Sequence, residues 1–587
     1  MKTKFQAVVF LLLVLAITVK AQSSNNGIFL CVPEEDTTIT SYSQYRLSGG
    51  AAPGSRILLN GTELKVYPTG AFAGALPLEY GMNEFTLTSI EKSGKQSARK
   101  FYIMRSEPMK TTPDSILAIE SMMEPNQNLL MQEGEYLKIR FKGTPNCRAY
   151  AFGNVKIDEL PASQTKGVGG IYQAYIKMKP EYFRPDSLVL VSLINQFGED
   201  TVAAMPGKIA FLSSDYPLIG VTKGDMPSLS FGLGGDRLGG AKMGYITDKI
   251  KLKITGKVGS NYRVQLTDNN EAWINEDFVD LQPKGTYVPS TALTGSWRVS
   301  GDEKYDYVYI GLSERVPYYT YQEINPNKII IDLYGAASNS NWITQMLSAK
   351  EIKNVYYTEP AKDLFRVTIE LKSKQSWGYG ISYEGNTLLV KVKHTPKKLK
   401  IGKLKFAIDA GHGGEGNNGA LGSTGLLEKD INLSIAKHLK EALEDEGAQV
   451  YMTRSKDTLV YNSDRLKRIL RESDADLAIS IHCNSIGESS NPEDTKGTSV
   501  YYKHIFYKPL TGFIYKEMLD LNLAEFGQVG SFNFYLNSPT DIPSVLVETA
   551  FMSHPEDEMK LMDDDFRKEV AEKIVNGIEE FLDYCDE

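Results

Sequence analysis

Cysteine is nearly missing from this chain of 587 residues: Cys31, Cys147, Cys483 and Cys585 are the only four, and no two form a CxxC pair. That excludes a disulfide-dense scaffold and a cysteine-type zinc site, and leaves open a single Cys31–Cys147 or Cys483–Cys585 bridge. Basic charge is lacking too. With 65 Lys and Arg against 73 Asp and Glu, the formal net charge is -8, so no nucleic-acid partner is expected. Long apolar runs are also absent. The stretch Val8 to Val19, behind Lys2 and Lys4, is short for a bilayer span and no later one is long enough, so no transmembrane segment is expected. Val19-Lys20-Ala21 follows as a small-x-small cleavage site, and residues 1–21 read as a signal peptide. Cys31 falls too far beyond it for a lipoprotein site. Histidine is the most informative scarcity. All six lie at or after position 394, which confines any imidazole-dependent site to the C-terminal part.

A chain this long exceeds one hydrophobic core and should divide into domains. Residues 22–107 and 115–210 read as two β-sandwiches, the first Ig-like, from short strands such as Ile57-Leu58-Leu59 and Tyr136 to Phe141 between Gly, Pro and Asn turn signals. In 211–285, Lys251 to Ile254 and Tyr262 to Leu266 alternate at period two. Together with Ala272-Trp273-Ile274 they resemble a small bacterial Src-homology-3-type barrel. Residues 291–395 carry the strands Val308 to Leu312, Lys328 to Tyr334 and Val367 to Leu371, in an order that resembles the AMIN module. From Lys403 onward strands alternate with helices. Leu404 to Ile408, Gln449 to Thr453 and Leu477 to Ile481 read as strands, and Glu428 to Asp445 as an amphipathic helix. Ser463 to Ser473 reads as a helix with Ser463 at its N-cap, and a last helix carries Phe566, Val570, Ile574, Ile578 and Leu582. The expected fold is therefore multidomain: several all-β modules, sandwiches and a small barrel, then a C-terminal α/β domain over 403–587 with helices on both sheet faces.

Four residues of that domain converge if the sheet is parallel. His412 follows the first strand in Asp409-Ala410-Gly411-His412-Gly413-Gly414, His482 ends the strand Ala478 to Ile481, and Glu548 ends Val545-Leu546-Val547. Residues just past the carboxyl ends of such strands face one crevice, and Glu428 opens a helix on the same side. Taken singly, each has a plain alternative, such as a hydrogen-bonded structural histidine or a helix-start carboxylate favoured by the macrodipole. Together, two histidines and a carboxylate suit a catalytic zinc, and a further carboxylate is needed to move the proton. Cys483 points to the opposite face from His482, which argues against a Cys/His nucleophile. His438, His504 and His554 read as solvated and outside the site.

Residues 404 to about 583 resemble the catalytic domain of zinc-dependent N-acetylmuramoyl-L-alanine amidases. The matching motifs are Asp409 to Gly414, Gly422 to Asp430, Thr453-Arg454, Ser480 to Asn484 and Val545 to Ser553. The resemblance implies that His412, Glu428 and His482 bind Zn2+ and that Glu548 is catalytic. The implied reaction hydrolyses the amide between the MurNAc lactyl group and L-Ala of the stem peptide. Peptidoglycan is then the partner, a protein activator is left open, and an exported, periplasmic site of action follows, the outer surface being an alternative. Two other readings use the same residues: a wall-binding protein with an inactive amidase domain, and a zinc peptidase acting on the stem peptide. Family members often carry an arginine before the stretch equivalent to Phe534-Tyr535-Leu536, where this chain has Phe526 to Gly530, so anchoring is expected from Asn533 or Asn537 instead. Only Ser485 to Lys496 separates the second histidine motif from the next strand, too little for the occluding helix of some relatives, and no self-inhibition is expected.

Overall fold

A computed structural model describes residues 27–213, 215–235, 238–287 and 291–586. The expected signal peptide, residues 1–21, lies outside the described residues. Among the described residues upstream of residue 400, the regular elements are β-strands apart from single turns of 3-10 helix. Its first unit faces a three-stranded sheet, centred on Gln44–Ala51, with a five-stranded sheet centred on Gly81–Ile90 and Gln96–Arg105. Ile28, Leu47, Phe72, Leu87 and Phe101 fill the space between. The next unit is one seven-stranded path around Phe141, Tyr172 and Leu193.

These units are not beads on a string. Leu129–Met131 leaves the second unit's sheet to pair antiparallel with Lys251–Val258 of the third. The third and fourth units then share one continuous core that runs from Leu229 through Trp297 and Ile331 to Phe506 and Tyr507 of the C-terminal domain. The four cysteines are unpaired by disulfide.

Within the C-terminal domain the elements are β1 (Lys405–Ala410), α1 (Glu428–Asp445), β2 (Gln449–Met452), α2 (Asn462–Lys467), β3 (Leu477–Asn484), β4 (Thr498–Tyr501), α3 (Lys508–Leu519), β5 (Glu525–Val529), β6 (Ser544–Phe551), α4 (Pro555–Met562) and α5 (Asp564–Asp586). Spatial order is β2-β1-β3-β6-β4-β5; the first four are parallel and β4 runs antiparallel to β6. Alternation along β1 explains the layers. Phe406 and Ile408 face a large core with α1, α3 and α5. Ala407 faces the other way, toward Leu466 of α2 and Ile469 just beyond it. That second face has only one short helix of its own. Met226 and Tyr245 of the third unit help to cover it, packing with Phe534 and Tyr535.

Ser463 is not the N-cap of α2. The helix starts one residue earlier, from Tyr461 in extended conformation and with no side-chain cap. It then widens into a π-turn over Arg468–Glu472. At the start the buried Arg465 donates instead through Nε to the Val460 carbonyl at 3.0 Å.

Candidate active site

The carboxyl ends of β1, β3 and β6 open onto a cavity of about 1050 Å³ lined by His412, Glu428, His482 and Glu548. β3 and β6 run three and four residues further than the hydrophobic runs suggested, so His482 and Glu548 sit inside the strands and pair in register. One ligand atom from each of His412, Glu428 and His482 lies within 4.8 Å of the others, the spacing a single cation needs. The Glu428 carboxylate lies between the rings, with Oε2 3.3 Å from His412 Nε2 and Oε1 3.1 Å from His482 Nδ1. Glu548 stands beside this cluster and helps to raise the His482 pKa.

Local chemistry aims each group. Asn417 Oδ1 lies 2.9 Å from His412 Nδ1, which leaves Nε2 to face the cavity. Glu428 accepts from the backbone N–H of Ala420 at 2.7 Å and of Cys483 at 3.2 Å, and from Asn432 Nδ2 at 3.1 Å. Burial opposes ionisation of Glu428, but the hydrogen bonds and charges of His412 and His482 hold its carboxyl well below the usual range. Burial likewise opposes protonation of His482; Glu428, with Glu548 and Asp409 behind it, raises it. Such a pocket is primed for a positive ion.

Two glycines are required by contact. A Cβ on Gly411 would fall 2.3 Å from the His482 ring, and one on Gly419 (φ +71°) would fall 2.4 Å from Glu428 Oε2. His412 itself has φ +60°, uncommon for a residue with a side chain. Two buried arginines hold it there. Arg465 donates to Asp409 Oδ1 at 2.7 Å, to the Ala410 carbonyl at 2.6 Å and to the His412 carbonyl. Arg454 donates to the carbonyls of Ala410 and Gly411, both at 2.8 Å, and of Lys429 at 2.7 Å. Asp409 also accepts from Thr453 at 2.5 Å and Ser480 at 2.8 Å. The Thr453-Arg454 motif thus holds the turn at His412, together with Arg465, which belongs to no motif of the sequence. The only signal of Arg465 was an arginine on the core-facing side of a short helix.

Several sequence expectations change. Asn533 is tied to the third unit: Oδ1 accepts from Lys242 N at 3.0 Å and Nδ2 donates to the Gly240 carbonyl at 2.9 Å. Asn537 is buried and donates to the Tyr501 carbonyl. Neither is available as an anchor. In their place Leu238 of the third unit, with Phe532 and Phe534, walls the cleft. His504 and His554 are not solvated. His504 is desolvated and bonded to the Ser538 carbonyl, and His554 is buried and caps α4 through Glu556 N. His438 pairs with Asp564 on the surface and His394 with the buried Asp306. Cys483 is buried on the far side of β3 from His482, and burial raises its thiol pKa well above the ordinary value. Between Asn484 and Thr498 there is only one 3-10 turn, Pro492–Asp494, and no helix.

Comparison with known proteins gives a consistent picture of this region. A family model described as N-acetylmuramoyl-L-alanine amidase matches residues 406–580. YqiI, an uncharacterized protein of Bacillus subtilis, is 34% identical over 180 residues, 30% of this chain and 84% of YqiI. The N-acetylmuramoyl-L-alanine amidase AmiC of Escherichia coli O6:H1 is 30% identical over 233 residues, 32% of this chain and 55% of AmiC. The chain thus spans most of one relative but only about half the length of the other. Among solved structures, the catalytic domain of CwlV from Bacillus (Paenibacillus) polymyxa var. colistinus is 33% identical, with 31% of this chain and 98% of that one covered and a TM-score of 0.29.

Proposed function

The chain belongs to the N-acetylmuramoyl-L-alanine amidase family, and on that premise we propose that it is an exported zinc amidase. It hydrolyses the amide between the MurNAc lactyl group and L-Ala of the peptidoglycan stem peptide. The observation that carries the reading is the convergence of His412, Glu428 and His482 on one point, with Glu548 beside them in the same cavity.

Two imidazoles and one carboxylate fit zinc and leave a coordination position open. When bound, zinc supplies Lewis acidity, lowering the pKa of water toward about 7 and polarising the scissile carbonyl. The chain's residues do the rest. Asn417 keeps the His412 tautomer with Nε2 toward the ion. Glu428 offsets ionic charge in a pocket that water screens poorly. Glu548 accepts a proton from the attacking water and delivers it to the nitrogen of L-Ala as the C–N bond breaks. The products are a lactyl carboxylic acid and a free peptide amine, so atoms and charge balance.

Export is supported by the sequence of residues 1–21, and among the described residues no helix is long and apolar enough to cross a membrane. The deciding experiment is digestion of purified sacculi with and without a zinc chelator, followed by mass analysis. Peptides beginning with L-Ala, lost on chelation, are expected. Cuts inside the stem peptide would instead make the enzyme a peptidase.

A further inference from the structure

We propose that the first β-sandwich completes the substrate cleft with a subsite for the glycan strand; this rests on the amidase reading above. The catalytic cavity does not stop at Glu428. A second cavity of about 590 Å³ adjoins it through Asn418 and Gly419, which line both. Its far wall belongs to the sandwich, through Phe29, Glu34, Ala51, Ala52 and Thr69.

Strand alternation sets this wall. Along Ile28–Val32, Ile28 and Leu30 enter the sandwich core, while Phe29 and Cys31 point outward to the segment 421–427. Cys31 Sγ donates to the Ser423 carbonyl at 3.4 Å. The Phe29 ring lies so near Gly425 that a Cβ there would sit 3.1 Å away. Phe29 is therefore a half-buried aromatic ring not used by its own core.

The sandwich is built in, not loosely tethered. Arg46 is only 6% exposed and donates to Ser485 Oγ and to the carbonyls of Ile486 and Leu421, while its own N–H bonds Glu488 O. Tyr67 bonds Glu493 at 2.7 Å and Gln44 bonds the Ser489 carbonyl at 3.1 Å. A buried guanidinium whose two terminal nitrogens both bond the neighbouring domain makes detachment costly.

Charge selects the occupant. Among the described residues, Glu34 is the only charged one lining the groove. A stem peptide carries carboxylates that Glu34 repels. The glycan is neutral while its lactyl groups are amide-linked, and a pyranose presents an apolar face to an aromatic ring and hydroxyls to backbone groups. A neutral N-acetylated sugar chain is the ligand class that fits.

Two variants test this, Phe29→Ala and Ala52→Trp, the latter filling the groove from an exposed turn at its lip. Each is expected to raise KM on long-chain peptidoglycan about five- to tenfold, the loss of one stacked ring. KM and kcat on a single disaccharide-peptide should stay as in the wild type. Binding to chitin, a neutral peptide-free N-acetylated glycan, measured by co-sedimentation, should weaken by the same factor. Equal effects on short and long substrates, unchanged glycan binding, or selective loss of free stem-peptide binding would each overturn the subsite. Glycan binding needs no turnover. A wild-type protein that binds chitin through Phe29 yet cleaves no peptidoglycan would refute the amidase reading and keep the subsite.

Discussion

Asn417 Oδ1 lies 2.9 Å from His412 Nδ1, and this contact decides which imidazole nitrogen faces the cavity. Removing it in Asn417→Ala frees the ring to rotate and to change tautomer. Zinc affinity, measured by competition with a chelating dye, is expected to fall about 10- to 100-fold. Unchanged affinity would mean that the backbone alone orients the ring.

Glu548 is assigned proton transfer and no part in holding the ion. Glu548→Gln is therefore expected to keep its full zinc content while peptide release from sacculi falls by about two to four orders of magnitude. His482→Ala should lose metal and activity together. Loss of zinc in the glutamine variant would move Glu548 into the ligand set.

Arg465 and Asp409 form a buried pair at 2.7 Å, each 2% exposed or less. Burial opposes the Asp409 charge, and Arg465, Thr453 and His482 keep its pKa low all the same. Arg465→Met strands that carboxylate and releases the Ala410 and His412 carbonyls. A loss of about 3–5 kcal/mol is expected in denaturant unfolding. Activity should fall more steeply than folding, because His412 loses its strained conformation.

His504 supplies a pH signature. Burial is the main cause that lowers its pKa from 6.5 to about 4, against the hydrogen bond to the Ser538 carbonyl, which raises it. The unfolded chain thus takes up a proton between pH 6.5 and 4 that the folded protein refuses. Stability should decline as pH falls through that window, by up to about 3 kcal/mol. His504→Gln should flatten this part of the stability–pH curve. A curve that keeps its slope would show that other groups set it.

Asn533 clamps the third unit to the rim of the cleft by two hydrogen bonds. Asn533→Ala should leave zinc binding intact and cost about 1–3 kcal/mol of docking, since the Lys242 N–H and Gly240 carbonyl lose their partner. Faster limited proteolysis next to Gly240 and Lys242 is the readout. An unchanged cleavage rate would show that the Tyr245–Tyr535 contact suffices.

Much of the site was legible because its chemistry depends on rare residue types at strand ends. Histidine confined to the C-terminal part, with glycine runs around His412, left few places for a metal site. Arg465 was not legible, because nothing local distinguishes a buried arginine from a solvated one on a short helix. Asn533 misled for the same reason. An asparagine next to aromatic residues reads as a substrate contact, and only the approach of Gly240 and Lys242 shows what it binds.

The sequence by itself determined the alternation of strands and helices after residue 403, the four converging side chains and the β character of the described residues before them. Those follow from period, propensity and residue chemistry, which act over a few neighbouring positions. Only the tertiary structure decided that one upstream unit, through Leu238, walls the cleft and that another lines the cavity beside it. Their contacts join residues such as Arg46 with Leu421 and Ile486, or Lys242 with Asn533, some 290 to 440 positions apart. Such pairings depend on how whole faces fit, and no local pattern in the chain records them.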